Sequence, residues 1–294
     1  MRKRAIFFGI ILLSIAICSG CGRDRAFQGQ RAYRHVEALL KLGPRSVGSV
    51  GNEKARAYIA RTLKREGWTL FEDEFAYRGE KVRNLVAKKG SGPVVIIGTH
   101  YDTRPLADRD PLNRAQPVPG ANDGASGVGV LLELARVLDR TCTDHYEVWL
   151  AFFDAEDRGD IDGWEWCVGS RHLAAKLVDE EGMHPELVVV VDMVGDAHQE
   201  IYYEWSSTVW LSEKLWTIAE EEGYREYFIP QYRHFVVDDH SPFLEKGVPA
   251  ALIIDLDYPY WHTGADTLDK ISADSLHRVG DVLETLLEGE LVAR

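Results

Sequence analysis

Residues 148–159 read VWLAFFDAEDRG. An apolar run rich in aromatic and β-branched residues stops at three acids, Asp154, Glu156 and Asp157, and then Gly159. A short apolar run bounded by turn residues is the pattern of a buried strand, so a core strand is predicted over 147–153 with carboxylates at its C-terminal tip. In open α/β sheets, binding sites form outside the carboxyl ends of the strands. Taken alone, the stretch is more simply a charged turn after a core strand. The rest of the chain decides between the two.

Working outward, the same arrangement recurs. Residues 94–98 form a continuous apolar run, hence a strand buried on both faces, followed directly by Gly98-Thr-His100-Tyr-Asp102. An imidazole there can ligate a metal, and Asp102 two residues on could fix its tautomer. Residues 186–191 are another apolar strand, ending at Asp192; residues 250–254 are a third, followed by Trp261-His262. Asp123 lies in Gly120-Ala-Asn-Asp-Gly-Ala-Ser-Gly127, just ahead of a helix predicted over 128–138. Asn122, Asp123 or Ser126 could simply cap that helix. Alternatively Asp123 bridges metals, with Gly124 free to take unusual backbone geometry. One acid at a strand tip is ordinary. His100, Asp123, Asp157, Asp192 and His262 all so placed is a poor coincidence.

Helices are also predicted over 30–42, 51–67, 168–178, 210–222 and 272–292, with a short one between Val237 and Gly247. Strands are expected over 70–77 and 82–87, and a short edge strand over 200–203. Residues 104–120 read as a loop and 158–166 as an insertion. Strands alternating with helices predict an α/β fold, a three-layer α/β/α sandwich around a mixed, largely parallel sheet.

The 294 residues carry a formal net charge of −13. Such a surface argues against nucleic-acid binding, which needs basic patches. Residues 1–20 have the basic start and short apolar core of a targeting signal. Its small residues ahead of Cys21 resemble the lipobox of bacterial lipoproteins, although Cys18 stands where Leu is usual. The expected organisation is a signal peptide (1–20), a tether (21–29) beginning at a lipidated Cys21, and one catalytic domain (30–294). That places the protein in the bacterial cell envelope, anchored to a membrane by lipid. Export permits a disulfide between Cys142 and Cys167 without specifying one.

Two imidazoles and three carboxylates suit Zn²⁺. Five ligands fit two ions sharing one carboxylate, and Glu156 beside Asp157 suits an acid/base.

GTHYDTRP, PGANDGASGVGVLLELAR, FFDAEDRG, VVDMVGD, DDHSPF and YWHTGADTLDKIS occur in this order. The ordered set resembles the M28 family of zinc peptidases, and implies a zinc exopeptidase-like fold. The resemblance implies Asp123, Asp157 and His262 as zinc ligands and Glu156 as the general acid/base. Two branches compete. In dinuclear aminopeptidases His100 and Asp192 complete a second metal site. In glutaminyl cyclases one zinc suffices, and Asp192 joins Asp239 in a proton-transfer network. Trp261 before His262, the segment from Trp166 to Leu173 and Asp238-Asp239-His240 lean toward the cyclase branch, with Trp261 lining the substrate pocket. Against it, Thr99 stands where animal cyclases place a disulfide partner, and the full aminopeptidase ligand set is present. The sequence therefore points first to a cyclase acting on the N-terminal Gln of peptides or proteins, with one zinc and possible room for a second. An M28 aminopeptidase and a non-catalytic peptide-binding lipoprotein are the alternatives. Asp154, His172 and His240 read as structural.

Overall fold

The structure of the protein is a computed structural model that describes residues 26–138 and 145–289. Cys21 and Cys142 lie outside the described residues. The chain opens with helices α1 (Gly29–Leu40) and α2 (Val50–Arg65), then the antiparallel pair β1 (Thr69–Tyr77) and β2 (Glu80–Gly90). There follow β3 (Val94–His100), α3 (Ala125–Val137), β4 (Glu147–Phe153), α4 (Val168–Ala175) and β5 (Leu187–Asp192). The second half contains β6 (Ile201–Glu204), α5 (Val209–Glu221), β7 (Phe228–His234), α6 (Ser241–Glu245), β8 (Ala250–Ile254) and α7 (Ala273–Glu288).

Six strands form one sheet in the order β1-β2-β4-β3-β5-β8. β2 runs antiparallel to both its neighbours, while β4, β3, β5 and β8 are mutually parallel. The parallel strands are buried on both faces, which is why they read as unbroken Val, Ile and Leu runs. Alternate residues serve opposite layers. Val95, Ile97, Val189 and Val191 pack with α1, α2, α3, α5 and α7; Ile96, Val188, Val190 and Leu252 pack with α4 and α6. The result is the expected three-layer α/β/α sandwich.

Register positions the site. His100 sits opposite Phe153, and Asp192 opposite Ile254. The carboxyl ends of the four parallel strands therefore finish along one edge, and the catalytic candidates project there.

Three expectations need correction. The fold begins earlier than residue 30: Phe27 is buried against Gly280 of α7, and the Gln28 N–H donates to Glu133. The expected edge strand near 201 stands outside the main sheet, and pairs in parallel with β7, a strand the sequence did not signal. The helix expected over 168–178 ends at Ala175 and continues as one wide π turn, Lys176–Glu180.

Candidate active site

Asp123 occupies the centre of the site. Its Oδ1 lies 3.1 Å from His100 Nε2 and its Oδ2 lies 3.7 Å from His262 Nε2. His100 Nε2 is also 3.0 Å from Asp192 Oδ1, and His262 Nε2 is 3.1 Å from Asp157 Oδ1. Two buried triads result, His100–Asp123–Asp192 and Asp123–Asp157–His262, sharing Asp123; within each, one ligand atom per residue lies within 4.8 Å of the others. Asp123 Oδ2 and both oxygens of Asp157 are buried without a hydrogen-bond partner among the described residues. Burial and the nearby Asp123 charge push Asp157 up to about 6, whereas Asp123, although buried, is held low by His100. Buried carboxylates lacking donors, facing two imidazoles, fit a divalent cation, and this N/O set fits zinc.

The shell around the ligands is built from backbone contacts. Gly124 has φ 84°, and a Cβ there would meet Asp102 O at 2.8 Å, so the Asp123 turn approaches β3 only because residue 124 lacks a side chain. No side chain caps α3 at Gly124, which leaves the Asp123 carboxylate to the site. The backbone N–H groups of Asn122 and Asp123 donate to the two oxygens of Asp266, at 2.8 and 3.1 Å. Buried Arg45 donates to the carbonyls of Tyr101, Pro119 and Gly120, joining the His100 and Asp123 segments. Asp102 lies 3.5 Å from His100 Nδ1, which has no hydrogen-bond partner among the described residues. Its oxygens instead accept the N–H groups of Glu156 and Asp157.

Glu156 points into the cleft next to these ligands, its Oε2 4.0 Å from His100 Nδ1. The buried Cys167 thiol donates to its Oε1 at 3.7 Å, and the Cys167 N–H donates to its carbonyl. Burial pushes Glu156 well above the ordinary carboxylate range, as it does Asp238. Burial lifts Asp239 to about 7. Asp239 Oδ1 accepts from Ser170 Oγ at 2.5 Å, and its Oδ2 has no hydrogen-bond partner among the described residues. Asp192 Oδ1 lies 3.0 Å from His100 Nε2, and among the described residues no direct hydrogen bond links it to Asp239.

The cleft above these groups encloses about 340 Å³ and is walled by Trp166, Phe235, Val237 and Trp261. Trp166 stacks parallel to His262, ring centroids 6.0 Å apart, and Trp261 lies against the same imidazole at 4.3 Å. Arg109 covers Trp261 at 3.8 Å. The left-handed backbone of Ala155, Met193 and His262 clusters here, each next to a residue of the site.

The structure thus brings His100, Asp123, Glu156, Asp157, Asp192, Trp261 and His262 to one cleft, with Asp102 directly beneath and Asp239 behind. Asp154 is structural, accepting from Asn52 and the Arg83 N–H. His172 stacks on Phe75, and His240 faces Glu204, so both belong to the scaffold. Arg45, Cys167 and Asp266 were missed as site-supporting residues. Asp266 and Cys167 carried a usable signal, lying inside the motif that contains His262 and the segment from Trp166 to Leu173.

Comparison with known proteins agrees with this geometry. The model of peptidase family M28 matches residues 84–287. The aminopeptidase YwaD of Bacillus subtilis (strain 168) is 32% identical over 275 residues, 85% of this chain, although the chain spans only 54% of that relative. A glutaminyl-peptide cyclotransferase of Gloydius blomhoffii is 28% identical, with 79% of this chain and 74% of that protein aligned. The crystal structure of Tannerella forsythia glutaminyl cyclase superposes with a TM-score of 0.81 at 32% identity, covering 90% of this chain and 99% of that one. Match, fold and ligand constellation agree, and the chain belongs to peptidase family M28.

Proposed function

We propose that this enzyme converts the N-terminal Gln of peptides to pyroglutamate, releasing ammonia, with a single zinc held by Asp123, Asp157 and His262. The observation that carries this reading is the set of buried acids behind Glu156. Burial raises the proton affinity of Glu156, Asp238 and Asp239 in a cleft walled by aromatic rings, so an ionised Glu156 there is a strong base and, once protonated, an acid that can return its proton. Such a site moves protons while limiting water, as cyclisation without hydrolysis requires. The extent of the match to a solved glutaminyl cyclase supports the same reading.

Bound zinc would supply a Lewis acid for the side-chain amide oxygen. Trp261 and Trp166 flank the substrate side chain beside His262. As the α-amine nitrogen bonds to the amide carbon, Glu156 takes the amine proton. As the carbon–nitrogen bond to the amide nitrogen breaks, Glu156 returns that proton to the departing ammonia. Cys167 holds one Glu156 oxygen, leaving the other on the His100 side.

The second triad, His100, Asp123 and Asp192, favours one other reading, a two-zinc aminopeptidase in which Glu156 activates water. Gln-initiated peptides and aminoacyl reporter substrates, assayed on one sample with zinc counted, separate the two. Pyroglutamate and ammonia with one zinc support cyclisation; free amino acids with two zincs overturn it. From residues 1–21 we also propose export to the cell envelope and lipid anchoring at Cys21, checked by mass spectrometry of the mature N-terminus.

A further inference from the structure

Residues 158–166 leave the acidic pair and form a second wall outside the catalytic cleft. The loop is closed on itself: the Asp160 N–H donates to Trp164 O, and the Trp164 N–H donates to Ile161 O. Its far end is fixed to the zinc site. Trp166 Nε1 donates to Asp160 Oδ2 at 3.1 Å while the ring stacks on His262. Gly159 makes that stacking possible, because a Cβ there would lie 2.0 Å from Trp166 Cδ2. Arg104 tightens it further, donating to the carbonyls of Asp157 and Gly159.

Outside this wall lies an open groove of about 600 Å³, lined by Asp160, Trp164, Glu165, Trp166, Arg171 and Val237. Trp166 and Val237 also line the catalytic cleft, so the groove adjoins it. A peptide whose first residue lay beside Glu156 would pass these two side chains to reach the groove. The charges along its path are unbalanced. Arg171 is matched by Glu245 at 2.7 Å, and Arg158 faces Asp162 at 3.7 Å. Asp160 and Glu165 are exposed, and neither is ion-paired among the described residues.

We propose that this groove is a subsite for the peptide chain beyond its first residue, and that Asp160 and Glu165 select a cationic side chain there. It rests on the reading that the substrate is a peptide N-terminus, and holds for cyclase and aminopeptidase alike.

The test compares amidated peptides bearing Lys or Glu at position 2, and separately at position 3, after an N-terminal Gln. At low salt kcat/KM should favour Lys about five- to twenty-fold at one of these positions, the scale of one or two exposed charge pairs. The preference should shrink with added salt. In Asp160→Asn/Glu165→Gln it should fall below about twofold; Asn keeps one oxygen that can still accept from Trp166 Nε1, and the single variant Glu165→Gln, which leaves that bond untouched, should lose part of the preference. A Lys/Glu ratio near unity at both positions overturns the proposal, as does a ratio the double variant leaves intact. Calorimetric binding of the same peptides to the zinc-loaded enzyme separates this from the choice of reaction. A Lys preference in Kd that the double variant loses supports the subsite even if no pyroglutamate forms; equal Kd values overturn it.

Discussion

Asp102 Oδ1 accepts the backbone N–H of Glu156 at 3.2 Å, and its Oδ2 accepts that of Asp157 at the same distance. One carboxylate on the β3 side thus fixes the turn that carries both the proton carrier and a zinc ligand. An Asn at this position offers one acceptor oxygen and places an amide group against the other N–H. Asp102→Asn should therefore lower zinc affinity about 10- to 100-fold, the usual effect of disturbing a residue that orients ligands. Chelator competition measures this, and an unchanged affinity would refute the assigned role.

Glu156 differs from its neighbour Asp157 in what it touches. Its carboxyl faces the cleft and the Cys167 thiol, whereas Asp157 faces His262. Glu156→Gln keeps shape and removes the exchangeable proton. Turnover should fall by at least about 100-fold with zinc content unchanged. Activity within tenfold of wild type, with zinc bound, would remove Glu156 from the mechanism.

Arg45 is fully buried, and burial pulls its guanidinium down to about 10 against the pull of Asp266 and Asp123. Its bonds to the carbonyls of Tyr101, Pro119 and Gly120 hold together the two loops bearing His100 and Asp123. Arg45→Met leaves those buried acceptors without donors. The expected loss is about 3 kcal/mol of unfolding free energy, read by urea denaturation. A loss under about 1 kcal/mol would show that the loops hold without it.

How much of this was legible depends on whether a residue's role is written locally. β4 and β8 were placed to the residue because strands buried on both faces leave unbroken apolar runs. Over 148–159, Glu147–Phe153 is such a strand; of the acids after it Glu156 and Asp157 turn to the site, while Asp154 turns back to Asn52 and Arg83. β7 was not legible: Phe228–His234 is mostly exposed, contains Pro230 and pairs only with the short β6. Arg45 and Asp266 were missed for another reason, although Asp266 at least lay inside a motif already singled out. Each acts on the backbone of a distant segment, and a charged loop residue looks the same in sequence whether solvated or buried.

The last prediction concerns Glu204, at the end of β6, and the loop that carries Val237 and Asp239. Glu204 accepts from the N–H and Oγ of Ser206 and of Ser207, from the Val236 N–H, and faces His240 Nε2 at 3.2 Å. Burial alone would raise this carboxyl, but His240 and the Ser206 donors outweigh it and hold it down at about 2, against an ordinary value of 4.5. A carboxylate lowered on folding binds fewer protons in the folded state than in the unfolded one. Its stabilisation is therefore fully present above pH 4.5 and is lost progressively as the pH falls toward 2. Unfolding of wild type and Glu204→Gln by urea between pH 6 and pH 2.5 checks this. Wild type should be more stable by about 1–3 kcal/mol at pH 6, the cost of weakening a buried acceptor. That advantage should narrow as the pH drops, because the variant has no proton to take up at this position. A difference that stays constant across the range would show that the bonds to Glu204 do not depend on its charge.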